Sequence, residues 1–161
     1  MEINWSWQRF SDISGEAMHE MLALRQNIFV IEQGCLYLDA DGLDKQSWHL
    51  FGRTNDQQLV AYARLNFPNT RYSEPSFGRV LTSKAIRGMG AGKKIVEACI
   101  QKSLQEYPNL DLRISAQAHL SKFYEQFGFT KVGDPYDDHG IEHISMIFRA
   151  PPNRWPIVFL L

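Results

Sequence analysis

Arg87-Gly88-Met89-Gly90-Ala91-Gly92-Lys93 stands between an apolar run, Phe77 to Thr82, and a long amphipathic stretch, Lys93 to Tyr107. A strand turning into a helix through three glycines frees several backbone N–H groups to face one anion, and the helix N-terminus adds partial positive charge. The segment therefore reads as a phosphate cradle. A nucleotide P-loop would need glycine at position 87 and a hydroxyl at position 94, where this chain has Arg87 and Lys94. A dinucleotide fingerprint read from Gly88 and Gly90 would need its third glycine at Lys93. The pattern that fits is Arg-x-x-Gly-x-Gly, on Arg87, Gly90 and Gly92.

Downstream of the cradle, Ile95, Val96, Cys99, Ile100 and Leu104 form one helical stripe, broken by Pro108-Asn109. Leu110 to Ala116 alternates as a strand, and His119 to Phe127 reads as a short helix ended by Gly128. Thr130 to Gly133 and Ile144 to Arg149 supply two last strands around an Asp/His/Gly-rich loop. Upstream, Ile3, Trp5 and Trp7 alternate in an opening strand, and Ser14 caps a helix expected over Gly15 to Gln33. Met18, Met21, Leu22, Arg25 and Phe29 are spaced along its neighbouring faces, and Gly34 ends it. An acidic loop from Leu38 to Gln46 leads to a hairpin of Trp48 to Arg53 and Leu59 to Asn66, and Pro68, Asn69, Pro75 and Ser76 mark the loop after it. Strand, helix, three strands, helix, strand, helix and two strands make an α/β sheet with helices packed on it.

At 161 residues and 44% hydrophobic content, with no repeat or linker, the chain is expected to form a single domain over residues 1–161. Seventeen basic and eighteen acidic residues leave a net charge of −1, so no global field favours nucleic acid or an anionic membrane. No apolar run approaches the roughly 20 residues of a membrane helix, and the amino terminus lacks a signal-like pattern, which points to the cytoplasm. Cys35 and Cys99 are expected as reduced thiols, Cys99 as a small core residue.

The Arg87/Gly90/Gly92 pattern resembles the pyrophosphate-binding signature of the GNAT N-acetyltransferases, and Phe123-Tyr124-Glu125-Gln126-Phe127-Gly128-Phe129 resembles their F-Y-E-x-x-G-F segment. Leu24 to Gln33, Asp39 to Asp44, Trp48-His49-Leu50, Ala61 to Arg64, Gly78-Arg79-Val80, Ala116 to His119 and Gly140 to Ile144 extend the likeness to the ElaA-like branch. Only Ala150 to Leu161 falls outside it. The resemblance implies a mixed, mostly antiparallel twisted sheet with helices on both faces, and acetyl-CoA as cosubstrate. It also implies that backbone groups of Val80, Leu81 and Thr82 hold the pantetheine arm, with one N–H in that strand polarising the thioester. Arg87, Gly88, Met89, Gly90, Ala91, Gly92 and Lys93 would hold the pyrophosphate, and Tyr124 would lie beside the sulfur as the acid. A phenol of pKa about 10 can protonate a thiolate whose thiol lies near about 8.5 if the site destabilises the free thiolate.

An amine acceptor must also lose a proton, and Glu32, His49, His119 and His143 are the candidates, with His143 at a strand start first among them. No metal site is expected: His139 and His143 lack a third ligand, and Asp39, Asp41 and Asp44 around Gly42 miss calcium-loop spacing. That acidic cluster reads as a solvated loop, or as a rim attracting a cationic amine. Where many members of the family have asparagine, this chain has Ala116-Gln117-Ala118, so Gln117 is a candidate for its role. No cysteine sits in a motif for an acyl-enzyme, which favours direct transfer to a small-molecule or peptide amine. The alternative is a regulatory module that binds acetyl-CoA or CoA and acts through a protein partner. The apolar tail, Pro151 to Leu161, is expected to pack on this domain or on a second copy in a homodimer.

Overall fold

The computed structural model describes residues 1–152. Seven strands form one sheet: β1 (Ile3–Arg9), β2 (Ser47–Thr54), β3 (Leu59–Asn66), β4 (Ser76–Thr82), β5 (Leu112–Gln117), β6 (Thr130–Asp138) and β7 (Ile141–Phe148), in the order β1-β2-β3-β4-β5-β7-β6. Every neighbouring pair is antiparallel except β4 and β5. The helices are α1 (Gly15–Arg25), α2 (Ala91–Glu106) and α3 (Ser121–Glu125). The mixed, mostly antiparallel sheet and the order of elements agree with the sequence.

Two apolar clusters show why the helices lie on both faces. β3 is buried along its whole length, so its side chains feed both. Ala61, Ala63 and Leu65 pack with Ile95, Val96 and Cys99 of α2, while Tyr62 and Leu59 pack with Met21 of α1 and with Ile28 and Phe29 beyond it. Ser14 caps α1 as its spacing predicts, accepting the Ala17 N–H at 3.1 Å. No helix among the described residues is long and apolar enough to cross a membrane.

The helix expected over His119 to Phe127 is α-helical only over Ser121–Glu125, after a 3-10 turn at Ala118–Leu120, and larger departures from the sequence expectation occur at two other places. The helix expected to run to Gln33 stops being α at Arg25 and continues as a π-helix, Gln26–Glu32, with Gln33 N–H bonded to Ile28 O at 3.0 Å. Ile28, Val30 and Ile31 in this run are β-branched, which lowers its preference for the α register. The last two strands are also longer, because the polar loop is itself strand: β6 reaches Asp138 and β7 starts at Ile141. His139 (φ 50°) and Gly140 (φ 83°) make the tight turn between them. β6 is an exposed edge strand with a bulge between Val132 and Tyr136, so it shows no apolar alternation to read. The apolar tail and the homodimer expectation attached to it lie, from residue 153 on, outside the described residues.

The parallel contact positions the site. β4 and β5 pair only at Ser76 and Arg113, supported by the Arg113 N–H to Pro75 O bond at 3.0 Å. Beyond that point they diverge, and the edge of β4 that faces β5 has no strand partner. β4 also carries one extra residue against β3, with Arg79 at φ 50° in the bulge.

Candidate active site

The glycine turn lies where the sequence places it. β4 passes through a 3-10 turn, Lys84–Ile86, anchored by fully buried Ile86, and the chain then reverses through Gly88 (φ 81°) and Gly90 (φ 80°). Those left-handed angles are why glycine is needed there. Gly90 is the N-cap of α2 and supplies no side-chain cap, so the amides of the first turn are left for an outside acceptor. A side chain built at Gly88, Gly90 or Gly92 would meet nothing within 4 Å, which leaves room for a pyrophosphate against the amides. Met89 and Lys93 are exposed and Ala91 is buried under the turn. The Arg87 guanidinium lies 2.7 Å from Glu32 and 3.3 Å from Thr82 O.

A cleft of about 650 Å³ opens where β4 and β5 part, bounded by Val80 on one strand and by Ser115 and Gln117 on the other. Leu81 turns its side chain into the core under α1, so only its backbone is available to a ligand, and Thr82 is half-buried. Tyr124, from α3, borders the same cleft and packs among Phe77, Phe123 and Phe129 with ring centroids 6.3, 5.2 and 6.0 Å away. Burial, with the Cys99 thiol adding to it, pushes the Tyr124 phenol up to about 12.

His143 also borders this space. Its Nδ1 lies 2.8 Å from Ile141 O, and a carbonyl only accepts, so the neutral ring carries its proton on Nδ1 and keeps a lone pair on Nε2. Tyr136 stacks on the ring at 6.2 Å and 25°, and its hydroxyl is hydrogen-bonded to Ser115. The other base candidates are occupied or remote. His49 is fully buried, with Nδ1 2.7 Å from the Tyr62 hydroxyl and Nε2 2.8 Å from Asp44 O; burial first of all holds its pKa below the usual histidine value. Glu32 is hydrogen-bonded by Arg87 and lies 3.7 Å from Lys84, which keep its carboxyl below the usual range and make it a poor base. His119 is exposed on the turn Ala118–Leu120 and does not border the cleft.

The acidic cluster is not a solvated loop. Asp39 and Asp44 are 5% exposed and are held by arginines from three elements. Arg25 Nε donates to Asp39 at 2.7 Å and its Nη1 to Asp44 at 2.8 Å. Arg64 bonds Asp41 at 2.6 and 2.8 Å and Asp44 at 2.9 Å, while Arg79 Nε lies 2.7 Å from Asp39. Burial pushes the Asp41 carboxyl up, but the Arg64 hydrogen bonds outweigh it and leave it below its ordinary value. The signal for this network was Arg25, a charge placed inside the apolar face of a helix. Sequence reasoning also passed over Tyr37, Arg71 and Asp138, which border the cleft from loop or edge positions without a pattern of their own.

A split sheet with a glycine-capped helix at one strand end and a half-buried tyrosine beyond the other is the site architecture of an acyl-CoA N-acyltransferase fold. A profile of the acetyltransferase (GNAT) domain matches residues 36–150, and the chain belongs to the GNAT family of N-acyltransferases, in its ElaA-like branch. A UPF0039 protein of Synechocystis sp. is 91% identical over 153 residues, covering 95% of this chain and 99% of that protein. ElaA of Escherichia coli is 36% identical over 146 residues, covering 89% and 95% respectively. Among solved structures, an acyl-CoA N-acyltransferase from Pseudomonas aeruginosa superposes with a TM-score of 0.87 at 35% identity, over 92% of this chain and all 100% of that one. The crystal structure of Escherichia coli ElaA does so with a TM-score of 0.84 at 35% identity, over 91% and 99%.

Proposed function

We propose that this protein is a cytoplasmic, single-domain N-acetyltransferase that moves an acetyl group from acetyl-CoA directly to the amine of a small molecule or peptide. The observation that carries the reading is the cleft between β4 and β5, with the open glycine turn following β4 and both Tyr124 and His143 bordering it. The free thiols of Cys35 and Cys99 suit a reducing compartment.

When bound, acetyl-CoA supplies an activated thioester. The amides of Gly90 to Lys93 hold its pyrophosphate, and the unpaired edge of β4 from Val80 to Thr82 holds its pantetheine arm. His143 Nε2 accepts the proton that the acceptor ammonium must lose before its nitrogen can attack. A backbone N–H at the Arg79–Val80 bulge stabilises the negative oxygen that develops as the N–C bond forms. Tyr124 donates its phenolic proton to the sulfur as the C–S bond breaks. The burial that raises the phenol disfavours a free thiolate in the same pocket, so donor and leaving group shift together. The alternative, a module that binds acetyl-CoA without turnover, drew on the lack of an assigned base, and His143 at the cleft supplies a candidate for one.

Release of CoA thiol from acetyl-CoA, measured over a panel of amino acids, polyamines, aminoglycosides and short peptides against a blank, tests the reading. Thiol release that no amine raises above the blank would sink it. Two variants sharpen the result. Gly92 has no positive φ and its Cβ direction is open, so Gly92→Glu is expected to fold normally and to weaken CoA binding about 30-fold or more, a loss of about 2 kcal/mol, by calorimetry. Unchanged affinity would remove the cradle. His143→Gln is expected to lower kcat about 100-fold without loss of CoA affinity, and an unchanged kcat would send the search for the base to ordered water.

A further inference from the structure

We infer that the acceptor carries a carboxylate beside its amine, as a free amino acid does, and that Arg71 is the residue that reads it. The inference rests on the transferase reading above and names its substrate class. Three arginines border the cleft: Arg64, Arg71 and Arg79. Arg64 is bonded to Asp41 and Asp44, and Arg79 is paired with Asp39 and lies 3.5 Å from Asp41. Arg71 stands apart: among the described residues no carboxylate lies within ion-pair distance of it. Its guanidinium rests over the ring of Tyr72 at 5.2 Å. The nearest acid in its own loop, Glu74, is taken by Arg113 through two bonds of 3.1 Å, and Arg113 lies over the same Tyr72 ring at 5.5 Å. A planar cation seated on an aromatic ring and left without an anion presents the fork that binds a carboxylate through two hydrogen bonds.

An opposite charge borders the same cleft. Asp138 borders it from the β6–β7 hairpin, 2.6 Å from His139, and His143 borders it from β7. A zwitterion would set its ammonium toward Asp138 and His143 and its carboxylate toward Arg71. The rival acceptor, a polyamine drawn to an acidic rim, loses its basis. The carboxylates of Asp39, Asp41 and Asp44 that would form that rim are neutralised by Arg25, Arg64 and Arg79.

Matched acceptors test this within one protein. CoA thiol release would be measured with L-amino acids, their carboxamides, spermidine and phosphoethanolamine, for the wild type, Arg71→Ala and Arg71→Lys. The expected result is a preference for one or more acids over their carboxamides of about 10- to 100-fold in kcat/KM. Arg71→Ala should bring that ratio to about one, and Arg71→Lys, which keeps the charge without the fork, should fall between. A purely structural role for Arg71 would lower both rates and leave the ratio intact. Equal use of acid and carboxamide by the wild type, a ratio that survives Arg71→Ala, or a preference for phosphoethanolamine or spermidine overturns the inference while the transferase reading stands. If no amine raises thiol release although CoA binds, the transferase reading falls and takes this inference with it.

Discussion

Tyr124→Phe is expected to lower kcat by about 10²- to 10⁴-fold while leaving acetyl-CoA affinity unchanged. The substitution removes one oxygen from a ring held by Phe77, Phe123 and Phe129, so the aromatic packing that shapes the cleft survives. In the proposed mechanism what is lost is the proton for the departing sulfur, an interaction made only as the C–S bond breaks. The pH dependence follows from the direction of the shift. A phenol at about 12 acts as an acid only while protonated, so its contribution is complete below that value and lost as pH rises through it. No alkaline fall in kcat assignable to Tyr124 should therefore appear up to about pH 10. A kcat within threefold of the wild type for the phenylalanine variant would show that the thiolate leaves without this acid.

The second large effect is on stability. Arg25→Met should destabilise the protein by about 3–5 kcal/mol, read as a lower denaturant midpoint, because it leaves Asp39, Asp41 and Asp44 with only Arg64 and Arg79, one uncompensated charge in a largely buried network. Arg25 has no exposed surface, and it gives three hydrogen bonds, to Asp39 twice and to Asp44 once. Arg53→Met is the internal contrast. Its partner Glu20 is 37% exposed at the side chain, and pairs of that kind contribute less than about 1 kcal/mol. Equal losses from the two substitutions would mean that water screens the inner network as it does the outer pair.

The parts of the site that were legible in the sequence are those that constrain the backbone locally. Gly88 and Gly90 adopt angles that other residues resist, and α2 follows them at once with its apolar stripe. The short α3 and the turn after it keep Phe123, Tyr124 and Phe127 in one cluster, which is a matter of near spacing. The acidic segment failed for the opposite reason. Its charges are answered by Arg25, Arg64 and Arg79, which belong to α1, β3 and β4, and nothing within the loop distinguishes a buried carboxylate from a solvated one. The proposed acceptor end was illegible for the same cause. Arg71 and Asp138 come together only because the loop after β3 and the β6–β7 hairpin face one cleft, and each alone reads as an ordinary polar position.

The lone pairing of Ser76 with Arg113 gives this sheet four edges where seven continuous strands would leave two. Two of them, β1 and β6, face outward, and two face each other across a wedge. An inner edge of that kind leaves the backbone groups of β4 open toward a cleft of about 650 Å³, where an extended chain bearing amides could pair with them. If the wedge holds a pantetheine arm as proposed, its occupant would cover the backbone groups that the split leaves unpaired and act as a clasp between two half-sheets.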